Sequence, residues 1–217
     1  MFSSRIWRAL LRKLFLTPRT CVGPRLRFEA LEDRTVPTAD TWINAGSGNW
    51  DVGSNWSTGA VPTSSQTAVI STTSAATITI QNGDNITVQS TTTGSNDTLL
   101  FTGGQLEVTT GASTLSGPLT MTGGTLAAVG SGASLIANGT TSISQSSLYV
   151  ESGAVLSLPN LTSYTTNGTF EAENSGSVLN IPALTTVTVG SGGWSLDAYT
   201  GGTVNVTGLT SLTSGNN

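Results

Sequence analysis

Along residues 131–217 apolar and polar positions alternate with a period of two, and the alternation returns at a near-constant interval. The segment Ser152-Gly153-Ala154-Val155-Leu156-Ser157-Leu158-Pro159-Asn160-Leu161-Thr162-Ser163 aligns without a gap on residues 175–186 and again on residues 200–211. A weaker copy begins at Ser131. Leu135, Leu156, Leu179 and Val204 share one apolar position, at offsets of 21, 23 and 25 residues. Ala137, Leu158, Ile181 and Val206 share a second, and Ile136, Ser157, Asn180 and Asn205 lie between them. Successive strand residues face opposite ways, so the first two sets are expected inside and the third outside. After a turn, Leu161, Leu184 and Leu209 are expected to point inward again.

Two further strands recur in each unit. One is expected to begin at Leu106, Leu126, Leu148, Phe170 and Trp194, and a weaker one at Ile143 and at Val187-Thr188-Val189. Three short strands per unit at a steady offset predict an all-β fold, a parallel β-helix solenoid. Each strand then pairs with its counterpart one coil away, and like side chains stack about 4.8 Å apart. Right-handed winding is the expected hand for such crossovers. Glycine pairs such as Gly103-Gly104, Gly123-Gly124 and Gly201-Gly202 suit the corners. An antiparallel sandwich would share the turn signals but not the gapless copies. The chain therefore divides into a leader (1–40), a Trp-rich entry segment or cap (41–70) and repeats (71–217). No C-terminal cap is visible after the last coil, so the chain is expected either to be part of a longer repeat protein or to self-associate through that end of the solenoid.

Charge sharpens this division. All eight basic residues lie at or before Arg34, and the body after it has no Lys, Arg or His but nine carboxylates, from Asp40 to Asp197. Such a body cannot neutralise phosphates, which argues against nucleic acid as a partner. The single cysteine, Cys21, allows no intrachain disulfide. Residues 5–16 place Arg5, Arg8 and Arg12 on one helical face, with Ile6, Leu10 and Leu14 among the apolar positions around the rest. This short basic amphipathic helix suits contact with a membrane surface during export. It is not an ordinary signal peptide, because Arg12 and Lys13 break the apolar run.

The leader continues as Pro24-Arg25-Leu26-Arg27-Phe28-Glu29-Ala30-Leu31-Glu32-Asp33-Arg34-Thr35-Val36-Pro37. This resembles the N-terminal motif of planctomycete-type extracellular proteins, at Leu26, Phe28, Leu31, Glu32, Asp33, Arg34 and Pro37. The resemblance implies a secreted or surface-exposed repeat protein and no particular activity. The entry segment, residues 41–70, with Trp42, Trp50 and Trp56, resembles the Trp-rich opening of autotransporter-type passenger repeats in bacterial surface proteins.

Candidate chemistry is sparse. Parallel β-helices host polyuronate lyases, but those need a base and cations to hold the acidic sugar, and this body has neither a basic residue nor a histidine. Catalysis is therefore not expected, and a partial or degenerate polysaccharide-processing enzyme is the least favoured reading. Trp42, Trp50 and Trp56 offer a carbohydrate platform, in which case the chain is a carbohydrate-binding module. The plainer reading is that the same rings cover the open end of the solenoid. Aligning Leu148, Phe170 and Trp194 places Glu151, Glu173 and Asp197 in one outward ladder with Glu171 beside it, and such a ladder would suit Ca²⁺ as the one cofactor. Solvated acids screened by salt are the plainer reading. The leading expectation is an exported or cell-surface structural, adhesin-like protein whose partners are polysaccharide or other cell-envelope components.

Overall fold

The structure, a computed structural model, describes residues 38–215. The basic helix and the export motif expected in the leader lie outside the described residues. Within them the chain forms short strands, from two to six residues long, and a single 3-10 turn at Gly53–Asn55. Segments such as Thr77-Ile78-Thr79-Ile80 form strands because β-branched side chains suit a pleated surface with one face buried.

The strands assemble into three parallel sheets, and the chain visits them in the same order in each full coil. Sheet 1 has eight strands, from Thr38–Thr41 to Thr203–Asn205. Sheet 2 has eight, from Gly48–Asn49 to Ser211–Ser214. Sheet 3 has six, from Asn85–Val88 to Trp194–Tyr199. This is the parallel β-solenoid that the repeats predicted. Leu135, Leu156, Leu179 and Val204 are paired in register on sheet 1, and the three leucines are buried. Leu161 and Leu184 are buried beyond the turn, as expected.

Between sheets 2 and 3 the corner is tight. At Gly104 (φ +66°) and Gly124 (φ +89°) a Cβ would lie 2.4 Å from a backbone oxygen of the preceding coil. Only glycine meets both the dihedral and the space.

One expected register is corrected. On sheet 3 Leu106, Leu126, Leu148 and Phe170 do stack, but the next member is Leu196 and not Trp194. Trp194 pairs with Gly168, two residues earlier on the strand Gly168–Glu173. The corner before Trp194 runs through residues 190–193, whereas the corner one coil earlier holds only Thr166 and Asn167. The longer corner shifts the strand start. The Trp194 ring instead packs edge-on against Phe170, with centroids 5.6 Å apart.

The N-terminal coil is built differently. Its strand Thr38–Thr41 begins before the boundary expected at residue 40. Residues 50–65 take the place of a sheet 3 strand and fold back over this coil. Trp42 and Trp56 form an antiparallel bridge. Ile43 N–H donates to Asn55 O and Ser57 N–H donates to Thr41 O, both at 2.8 Å. Asp40, fully buried, fastens the fold-back: its carboxylate accepts from Ser57 Oγ at 2.8 Å, Thr58 Oγ1 at 2.7 Å and Thr58 N–H at 3.1 Å.

Candidate functional site

The solenoid presents an N-terminal cap and three outer faces of different chemistry. In the cap Trp42 is 3% exposed, and Trp50 and Trp56 are 0% exposed. The rings pack on one another, Trp42 edge-on to Trp56 at 5.2 Å and Trp50 against Trp56 at 4.9 Å. Trp56 Nε1 donates to Trp50 O at 2.8 Å. No ring keeps a face that a sugar could cover, so the platform expected of Trp42, Trp50 and Trp56 is absent here. A tryptophan offers stacking area only while that area is wet, and at this end the exposed core takes it first.

The outer face of sheet 3 carries the acids. Of the nine carboxylates in the body, Asp40 and Asp97 are buried, and Asp51 and Asp84 lie in turns. The other five, Glu107, Glu151, Glu171, Glu173 and Asp197, all sit on sheet 3 strands. They do not form the single ladder expected. Tyr149, Glu171 and Asp197 stack in one column, and Glu151, Glu173 and Tyr199 in the next. The two-residue shift at Trp194 moves Asp197 beside Glu171 and leaves Tyr199 beside Glu173. Among the described residues no group of three or more carboxylates converges to hold a metal ion.

Electrostatics follow from this crowding without cations. Burial raises the Glu107 carboxyl above the usual range, and the Glu151 charge adds to it. Burial raises Glu171 likewise, reinforced by Glu173, Asp197 and Glu151. The charge of Asp197 is the main cause that raises the Tyr199 phenol. A concavity of about 440 Å³ opens over Ala127, between Glu107, Tyr149 and Glu151.

The outer face of sheet 2 is a different surface. Five successive coils contribute Thr120-Met121-Thr122, Ser142-Ile143-Ser144, Ser163-Tyr164-Thr165, Thr186-Val187-Thr188 and Ser211-Leu212-Thr213. The middle residue is buried in the first four (Met121, Ile143, Tyr164 and Val187), whereas Leu212 in the fifth is exposed. The flanking hydroxyls point outward. Pairing of Thr120 with Ser142, Ser144 with Thr165, Thr186 with Ser211 and Thr188 with Thr213 keeps them in two columns. Several are held by the coil before: Thr122 Oγ1 donates to Phe101 O at 3.2 Å, Ser144 Oγ to Met121 O at 3.4 Å and Thr213 Oγ1 to Thr188 Oγ1 at 3.3 Å. No strand of this sheet carries a charged residue. The recurring Ser/Thr-x-Ser/Thr triplet was visible in the sequence. It reads as ordinary composition until the register puts five copies side by side.

Sheet 1 is mixed. Its outward column includes Ile136, Ser157, Asn180 and Asn205, the last three joined as a side-chain ladder. Asn205 Nδ2 donates to Asn180 Oδ1 at 2.7 Å and Asn180 Nδ2 to Ser157 Oγ at 3.2 Å.

The chain matches no protein-family model, no curated protein and no solved structure. Among the described residues no helix is long and apolar enough to cross a membrane.

Proposed function

We propose that this is an exported, surface-exposed structural protein of adhesin-like character, and that it carries no catalytic site. The observation that carries the proposal is the uninterrupted in-register stack. From Thr38 to Ser214 the chain is spent on coils, cap and corners. Seven coil steps at about 4.8 Å give a rod roughly 34 Å long. Such a rod satisfies its backbone bonds internally and offers a protease few loose segments. Its side chains are used for holding coils together: Asp40 clamps the cap, Asn205 and Asn180 bridge coils, and Tyr164 Oη donates to Ser146 O at 2.9 Å. The segregation of all cations into the first 34 residues supports export, because it leaves a uniformly uncharged or acidic body. Hydroxyl-rich faces suit a hydrated setting and polysaccharide neighbours in a cell envelope.

The test is where the protein resides and whether it turns anything over. In the cell that makes it, antibody against residues 38–215 is expected to label intact cells or to find the protein in the medium. Replacing Leu31, Glu32, Asp33 and Arg34 with alanine is expected to abolish that labelling while the protein persists inside. Protein confined to the interior of unaltered cells would end the surface reading. Product released from a panel of polyuronates would end the non-catalytic one.

A further inference from the structure

We propose that the outer face of sheet 2 binds ice, its paired hydroxyl columns acting as a template for an ordered water lattice. The inference goes beyond a structural role and does not depend on where the protein resides. It rests on spacing. Hydroxyls in one column belong to successive coils and so stand about 4.8 Å apart, with about 6.6 Å between columns, two residues along a strand. In tetrahedrally bonded water, oxygens are linked at 2.7–2.8 Å, which sets next-nearest oxygens roughly 4.5 Å apart. Each column thus runs close to the repeat of a water lattice, drifting by only about 0.3 Å per coil.

Three further features fit this ligand. The face is uncharged along its whole length, like the lattice. A charged group would orient its own hydration shell and break the repeat. Three of the hydroxyls are preorganised: Thr122, Ser144 and Thr213 each donate to the coil before, which fixes their rotamers and leaves oxygen lone pairs free to accept from water. Ordering loose side chains at the moment of binding would oppose it; the fold has already ordered these three. Lastly, the aromatic rings of these strands, Phe101 and Tyr164, are both buried. A face for crystalline polysaccharide would be expected to present rings for stacking, and this one presents none.

The experiment uses the full 217-residue chain. The gap between melting and growth temperatures of a single ice crystal is measured, together with partition of the protein into slowly growing ice. The unaltered protein is expected to open a gap and to enter the ice. Thr165→Tyr and Thr188→Tyr place a ring in the second column and are expected to lose both effects, with melting temperatures of the protein unchanged. Ile136→Tyr puts the same ring on sheet 1 and is expected to retain them. No gap and no partition in the unaltered protein overturns the proposal, and so does a gap that survives both column variants. Retention on microcrystalline cellulose or chitin without any effect on ice overturns it in favour of a polysaccharide lattice. Because the assay uses purified protein, its failure leaves the surface-exposed reading standing, and mislocalisation leaves this one standing.

Discussion

Glu171 lies between Tyr149 and Asp197 in one column of sheet 3, with Glu173 two residues along the same strand. No Lys, Arg or His follows Arg34, so among the described residues no side-chain cation opposes its charge. Burial and its three acidic neighbours raise its carboxyl above the ordinary glutamate value. A carboxyl raised in the folded state binds its proton more tightly there than in the unfolded chain. The stability this confers is complete below the unfolded pKa, near 4.3, and is lost as pH climbs through the raised value. Glu171→Gln removes the charge and should melt higher than the parent at pH 7, by about 1–2 °C once solvent screening is allowed for. The difference should vanish toward pH 4, where the parent is protonated too. It should also shrink in 1 M salt, where the Debye length falls to about 3 Å. Thermal melts at pH 4–8 in low and high salt check this, and a variant no more stable at pH 7 contradicts it.

At the scale of the element, the cap shows what a sequence can leave open. Two asparagine-tryptophan pairs six residues apart suit a sugar platform and an end cover alike. Ring direction depends on a pairing between Trp42 and Trp56, 14 residues apart in a turn-rich segment with no period to read. The repeats were legible for the opposite reason. Leu135, Leu156, Leu179 and Val204 repeat the same local context one coil apart, so each copy confirms the next. Physical need settles the cap: among the described residues no coil precedes the first, and the indoles cover it. Trp56→Ala would remove a side chain that touches both other rings and donates to Trp50 O. Truncating a buried tryptophan costs about 3–5 kcal/mol. Urea unfolding should show that loss, with proteolytic cleavage appearing first within residues 41–60. A loss below about 1 kcal/mol would mean that the rings do not hold the cap together.

Across the whole molecule, the ladders tie each coil to its neighbours while the corners are free to vary in length. That division explains which registers could be read. Sheet 1 was legible because its strands follow corners of similar make. Sheet 3 slipped at its last strand because residues 190–193 lengthen the corner before Trp194, and an aromatic at the strand start imitates Phe170. The same division makes the two ends unequal. The first described coil is covered by buried indoles, whereas in the last described coil Leu196 is 38% and Leu212 61% exposed, with Val204, Val206 and Leu209 only partly buried. In a quasi-one-dimensional stack, stability is a sum of coil terms and neighbour terms, so within the 217-residue chain a coil paired on one side only among the described strands opens first. Amide hydrogen exchange in dilute protein should therefore be fastest in Thr203–Asn205 and Ser211–Ser214 and slowest in the middle coils, around Leu119–Met121 and Ala133–Ala137. The strand Thr38–Thr41, the first among the described residues, should exchange slowly where the cap meets it, at Thr41, whose N–H donates to Ser57 Oγ and whose carbonyl accepts from Ser57 N–H. Raising the concentration distinguishes two fates for the far end. If the open coil stacks on a second copy, protection should rise in its strands alone. Equal exchange at both ends would show that the indole cap adds nothing as a neighbour.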